Sequence, residues 1–227
     1  MYTAIIIEPR QHLALSFVLQ TFANVLPVEW NFILFHGNNN LTFINDILDT
    51  SLVQHKTRFT LISLKVDNLT TKEYNTLLMT KEFYNYIPTE TFLLFQTDTI
   101  LFEKHKYLLD FFLEYDYVGA PWDHKVREKN NDIGNGGLSL RKKTKMLEII
   151  DKEDPNHTDP EDVFFSCPYH VSIHKPPFEK AKLFSVEEIF SPISFGCHQP
   201  WNRSYGNQLY ELYDEVKLLS KYHLTES

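Results

Sequence analysis

Ala4-Ile-Ile-Ile-Glu-Pro-Arg-Gln-His-Leu-Ala-Leu-Ser-Phe-Val-Leu-Gln-Thr-Phe-Ala-Asn-Val-Leu26 changes its hydrophobic period partway along. Residues 4–7 are a short, largely β-branched apolar run, as in a strand buried on both faces. Within 12–26, Leu15, Leu19, Phe22 and Leu26 recur at intervals of three and four residues, the stripe of a core-facing helix. The same unit then repeats. Residues 31–35 read as a strand and 41–48 as a helix; 59–63 follow as a strand and 71–86 as a helix, with Thr70 or Thr71 placed to cap it. A further apolar strand is expected at 91–95. Strands apolar on both faces and separated by helices predict an α/β fold, with a mainly parallel central sheet flanked by helices.

Beyond a helical-looking stretch at 104–115 the texture changes. Short strands are expected at 117–122 and 134–141, polar loops at 123–132 and 151–159, a short helix opening at Asp162, and a last helix over 205–219. Nothing resembling a repeat or a linker divides the chain, so residues 1–227 read as a single domain, with 202–227 as a C-terminal helical extension.

Composition narrows the function classes. Twenty-two Lys and Arg against thirty Asp and Glu give a net charge of -8. Without a Lys/Arg block such a chain is poorly equipped to hold a nucleic-acid backbone by counterion release, so nucleic acid is not an expected partner. The two cysteines, Cys167 and Cys197, lack metal or redox spacing. No basic segment precedes the first apolar run and no stretch approaches the length of a membrane helix, so a cytoplasmic protein without a membrane span is expected. The sequons at Asn40, Asn68, Asn156 and Asn202 are then expected to go unread.

Ligands in open α/β sheets bind beyond the carboxyl ends of the strands, which directs attention to Glu8, Arg10, His36, Asp67 and Gln96-Thr97-Asp98. A carboxylate at such a strand end can hold a divalent cation against a diphosphate; the competing role of Asp98 is a turn residue bonded to local amides. Gly134, Gly136 and Gly137 around Asn135 fit backbone approaching a ligand, positive φ, or a plain turn. Glu161-Asp162, at the mouth of an apolar segment, could supply a general base tuned by partial burial, or charge complementing a helix N-terminus. His198 could ligate a metal or bond a phosphate, and Trp201 could stack on a sugar or base, although a lone histidine is usually structural. The pair His170 and His174 has helical ligand spacing, but Pro168, Pro176 and Pro177 around it argue for an extended segment and against metal.

Taken in order, Glu8-x-Arg10, His36-Gly-Asn, Phe95-Gln-Thr-Asp98, Tyr115-Asp-Tyr-Val-Gly-Ala-Pro-Trp122, Gly134-Asn-Gly-Gly-Leu-Ser-Leu-Arg141, Glu161-Asp-Val-Phe-Phe165 and Phe195-Gly-Cys-His-Gln-Pro-Trp201 form a constellation. It resembles a family of small GT-A-like glycosyltransferases, formerly a domain of unknown function, found in bacteria and giant viruses. The resemblance implies a GT-A-like fold and a nucleotide-sugar donor whose sugar passes to a glycan, lipid or protein acceptor. It places Glu8, Arg10, His36, Gln96, Thr97 and Asp98 around the nucleotide. Asp98 and His198 would be ligands of Mn2+ or Mg2+, with Gln96 standing where the pattern has its first acid and so weakening the cation site. Trp122, Asn135, Gly136, Gly137 and Trp201 would line the sugars, and Asp162 beside Glu161 would be the base of an inverting transfer. If the source is viral, the compartment would be the host cytoplasm. Two other readings accompany it: a catalytically inactive sugar- or nucleotide-binding module of the same fold, favoured by Gln96, and a nucleotidyltransferase.

Overall fold

The computed structural model describes residues 1–123, 133–154 and 159–224. The loop expected at 123–132 thus lies, apart from Asp123, outside the described residues, as do 155–158 with the Asn156 sequon. In chain order the elements are β1 (Tyr2–Ile7), α1 (Leu15–Val25), β2 (Trp30–His36), α2 (Leu41–Thr50), β3 (Phe59–Ser63), α3 (Thr71–Leu78), α4 (Lys81–Asn85), β4 (Thr91–Phe95) and β5 (Thr99–Leu101). They continue with β6 (Tyr117–Pro121), β7 (Ile133–Lys142), α5 (Lys143–Lys152), α6 (Glu161–Ser166), α7 (Phe178–Ala181), β8 (Ser185–Val186), β9 (Gly196–His198), α8 (Gly206–Leu212) and α9 (Asp214–Leu224). Short 3-10 helices sit at Val53–Arg58, Glu103–Phe112 and Pro200–Asn202.

The main sheet has the order β3-β2-β1-β4-β7-β6, with β1 to β4 mutually parallel and β7 antiparallel to both β4 and β6. Alternation of side chains sends Ala4, Ile6, Phe32, Leu34, Leu93 and Phe95 to the α1 face. Ile5, Ile7, Ile33, Phe35, Phe92 and Leu94 point the other way, against Phe83, Tyr84, Met146 and Phe165. Both faces are therefore dry, which is why the strands read as unbroken apolar runs. Phe22 of α1 stacks on Phe95 of β4 with centroids 3.8 Å apart, fixing the helix over the strand that leads into Asp98. A smaller sheet, β5-β9-β8, lies beside the end of β4 and pairs Thr99 with His198.

Several expected elements divide or shift for local reasons. The helix expected over 71–86 is two: Thr70 closes a capping box with Glu73 at the start of α3, and Thr80 caps α4 through the amide of Phe83. The stretch at 104–115 is a 3-10 helix kinked at His105. The last helix breaks at Tyr213, whose backbone is extended while its ring stacks on Phe102 at 3.7 Å and its hydroxyl donates to the Pro192 carbonyl at 2.7 Å. Helix α5 had no anticipated counterpart. Leu209, Tyr213, Val216 and Leu219 join the core on the α1 face, so α8 and α9 pack into the same interior as the strands. Among the described residues no helix is long and apolar enough to cross a membrane.

Candidate active site

Where β1 and β4 end side by side, a cavity of about 420 Å3 opens, lined by Glu8, Arg10, Tyr74, Gln96, Asp98 and Gln199 among others. Asn40, fully buried, organises its first wall. Its amide nitrogen donates to the carbonyls of Glu8 and Arg10, each at 2.8 Å, and its oxygen accepts from the Gly37 amide at 2.9 Å. The Glu8 carboxylate is also buried and accepts the Arg10 backbone amide, Nε and Nη2, all at 2.9 Å, so it holds the guanidinium at the cavity rim. The second wall is the capped start of α3 with Asn68, Leu69, Thr70 and Thr71. Tyr74 reaches across from α3, its hydroxyl accepting from Gln96 Nε2 at 3.3 Å.

His36 and Asp67 turn elsewhere. His36 Nδ1 lies 2.7 Å from the Gly37 carbonyl, and Asp67 accepts from Asn38 and Asn39 at 3.0 Å. Neither lines the cavity. Thr97 does, and its carbonyl lies 3.0 Å from His223 Nε2 of α9. His223 in turn stacks on Trp201, with centroids 4.8 Å apart and planes at 18°, so one face of that indole is taken by protein.

Asp98 heads a closed chain of charged groups. Its Oδ2 accepts from Gln199 Nε2 at 2.5 Å, and its Oδ1 lies 3.2 Å from His198 Nε2. The other ring nitrogen, Nδ1, is 3.0 Å from Glu187 Oε2. These histidine contacts are charge contacts whose angles fall short of good hydrogen bonds, since the same four atoms are buried without a hydrogen-bond partner. Burial works against a charged His198, but the two flanking carboxylates outweigh it and hold its pKa well above the ordinary value. Burial likewise pushes Asp98 up, and is overcome by His198 and Gln199, which hold it well below the usual carboxylate range. Gln199 adopts a left-handed conformation (φ 44°), strain that the bond to Asp98 and the amide bond to the Asp98 carbonyl at 3.1 Å maintain.

The glycines of β7 connect this chain of groups to a second one. Among the described residues no glycine has positive φ. Gly134, Gly136 and Gly137 instead lie inside the strand because protein side chains crowd it. A Cβ on Gly137 would sit 2.3–2.5 Å from the His198 ring, one on Gly134 would meet Ser166 and Trp122, and one on Gly136 would meet Glu161 and Asp162. Trp122 is accordingly buried. Asn135 is half-buried and its Oδ1 accepts from the Gly137 amide at 3.0 Å. Gly137→Ala should lower stability by about 1–3 kcal/mol in urea unfolding, because the ring it would strike is held on both sides.

Beyond Gly136 stands the second group. Arg141, fully buried, places Nη1 2.8 Å from Glu161 Oε2 and Nη2 3.2 Å from Oε1, with its guanidinium 4.9 Å from the centre of the Tyr117 ring. Glu161 is thus a paired anchor. Asp162, its neighbour, is only partly buried and has no ion pair among the described residues; it accepts the Val163 amide at 2.8 Å and the Gly136 amide at 3.3 Å. Burial and then the charge of Glu161 push its pKa up to about 6, against the pull of those amides and Arg141.

A divalent cation fits these donors poorly. Gln96 is neutral and bonded to Tyr74, both oxygens of Asp98 face protein groups, and both nitrogens of His198 face carboxylates. Among the described residues no group of three or more His, Cys, Asp or Glu side chains is placed to hold an ion. His170 and His174 lie in an irregular segment, with the His174 ring against Tyr115.

Residues that sequence reasoning passed over complete the site: Asn40, Tyr74, Arg141, Glu187, Gln199 and His223. Of these, Arg141 and Gln199 stand inside the motifs at 134–141 and 195–201, though neither is given a role there.

No curated protein matches the chain. Among solved structures, the apo form of the glycosyltransferase GlyE of Streptococcus pneumoniae TIGR4 aligns with a TM-score of 0.54 at 11% identity, over 98% of this chain and 63% of that one. This chain therefore spans less than two thirds of the length of GlyE. The inositol-1-phosphate CTP transferase of T. maritima aligns with a TM-score of 0.51 at 13% identity, over 96% of each chain. These likenesses show the fold, which is GT-A-like. A family model described as a protein of unknown function (DUF5672) matches residues 58–198. That match takes in more than half of the sequence, including Asp98, Asp162 and His198, and the chain belongs to the DUF5672 family.

Proposed function

We propose that the protein is a nucleotide-sugar-dependent glycosyltransferase that inverts the anomeric centre. The observation that carries this reading is a cavity at the ends of β1 and β4, lined by Asp98, with the partly buried carboxylate of Asp162 packed on Gly136, the strand residue before the Gly137 that crowds the His198 ring beside Asp98. The nucleotide would lie between the Glu8–Arg10 turn and the start of α3. Arg10, held at the rim by Glu8, would face the diphosphate. Asp162 would accept the proton of an acceptor hydroxyl on a carbohydrate-containing molecule as that oxygen attacks the anomeric carbon. The bond from that carbon to the diphosphate breaks, and the nucleoside diphosphate leaves with the electron pair. Glu161 and Arg141 would act through Asp162 as positioning residues.

Binding is tested by thermal unfolding with UDP, GDP, CMP and dTDP and their sugars. At ~100-fold excess over Kd, a ligand of the folded state adds ~2.7 kcal/mol, a rise of about 5–10 °C for a chain of this size. Thr71→Trp, which sets an indole into the cavity from an exposed helix position, should abolish the rise without lowering the ligand-free Tm. A full rise in that variant would place the nucleotide elsewhere.

A second reading, nucleotidyl transfer, draws on the end-to-end likeness to the T. maritima enzyme. Against it, Arg10 is the one Lys or Arg among the described cavity-lining residues, a sparse counter-charge for a triphosphate.

A further inference from the structure

We infer that the donor site works without a divalent cation, the chain Asp98–His198–Glu187 standing as a closed charge network where an ion would otherwise be needed. The nucleotide part of the inference rests on the transferase reading; the metal part stands on geometry alone. An ion of the Mn2+ or Mg2+ class needs several oxygen donors turned towards one point, with carboxylate charge to match its own. Here Asp98 turns one oxygen to Gln199 and the other to His198, while Gln96 is neutral and donates its amide to Tyr74. Glu187 supplies the second charge, but on the far side of the imidazole.

The imidazole is crowded on one side. Gly137 lies so close that even a methyl group there would collide with the ring, and β9, which carries His198, is paired to β5 through Thr99. The carboxylate of Asp98 is thereby balanced from within the protein. A diphosphate entering the cavity meets Asp98 with His198 against one of its oxygens and Gln199 on the other, and the Arg10 side chain that Glu8 holds at the rim.

Electron paramagnetic resonance of Mn2+ titrated into the protein, alone and with each nucleoside diphosphate, tests this directly. The free-ion signal should match the protein-free controls. A protein-dependent loss of signal that Asp98→Asn removes would overturn the inference. His198→Asp should convert the wild-type behaviour into Mn2+ binding at least about tenfold tighter, because three carboxylates then face one space. A folded His198→Asp that binds no Mn2+ would overturn the role given to the histidine. Should that variant fail to fold, His198→Asn opens the same space between Asp98 and Glu187 and is read in the same way. A chain that binds no nucleotide fails the transferase reading in the thermal experiment, while the Mn2+ titrations without nucleotide still decide this one.

Discussion

Asp162→Asn is expected to slow release of nucleoside diphosphate from the donor sugar by about 10²–10⁴-fold, with nucleotide binding retained, because it removes the proton acceptor and leaves the cavity untouched. The wild-type rate should rise with pH through about 6, where Asp162 loses its proton, and the variant should lack that limb. The same group makes a prediction of opposite sign for stability. Its folded pKa lies above the unfolded value, so the folded protein binds the proton more tightly. The contribution is therefore most favourable below the unfolded pKa near 3.8 and is lost as pH rises through about 6. At neutral pH the carboxylate is a cost, on the order of 1–2 kcal/mol after discounting for the part that water reaches. Asp162→Asn should therefore be more stable than wild type above pH 6, and indistinguishable from it below about pH 4. Urea unfolding at two pH values, beside the rate measurement, separates a base from a structural residue: a structural role would lower stability and rate together.

Glu161→Ala should be the most damaging single change for folding, at about 3–5 kcal/mol in urea unfolding, since it strands the Arg141 guanidinium in a fully buried site. Sandwiched against Tyr117 and Phe165, with centroid distances of 4.9 and 5.5 Å, that guanidinium cannot reach water by changing rotamer. Replacing both partners, as in Arg141→Met with Glu161→Leu, should recover most of the stability, because the cost lies in the unpaired charge and not in the lost attraction. The double variant should still transfer poorly, since Gly136, Asp162 and the ion pair share one contact surface on β7. Full activity in it would remove Glu161 and Arg141 from the positioning role.

Much of this architecture can be read from the chain because parallel strands covered on both faces announce themselves. The strand at 91–95, buried along its length, has the bounds its apolar run indicates, and so does the partly exposed edge strand at 59–63. Asp98 and Asp162 were legible for a related reason: each is an acid at the boundary between an apolar segment and a turn. What could not be read is whatever depends on chain segments far apart. Glu187 has no local pattern, yet it sets a second carboxylate against His198, on the ring nitrogen that Asp98 does not face. His223 comes from α9, beyond the motifs, and reaches Thr97 across 126 positions of sequence. The β7 glycines were visible, but their meaning was not, because crowding by Trp122, Asp162 and His198 leaves the same residue type behind as a turn would. The break of the last helix at Tyr213 is likewise imposed by Phe102 and Pro192 and not by any local breaker.

In the proposed function Asp162 drives sugar transfer from a nucleotide donor held at the ends of β1 and β4. The most direct test is a ³¹P NMR time course of the protein with a panel of nucleotide sugars and nucleoside triphosphates, water serving as acceptor. A nucleoside diphosphate should appear from one nucleotide sugar, at a rate that Asp162→Asn lowers by about 10²–10⁴-fold, with no pyrophosphate from any triphosphate. Pyrophosphate release would contradict it in favour of nucleotidyl transfer, and unchanged spectra from a protein that binds the nucleotide would contradict it in favour of a binding module.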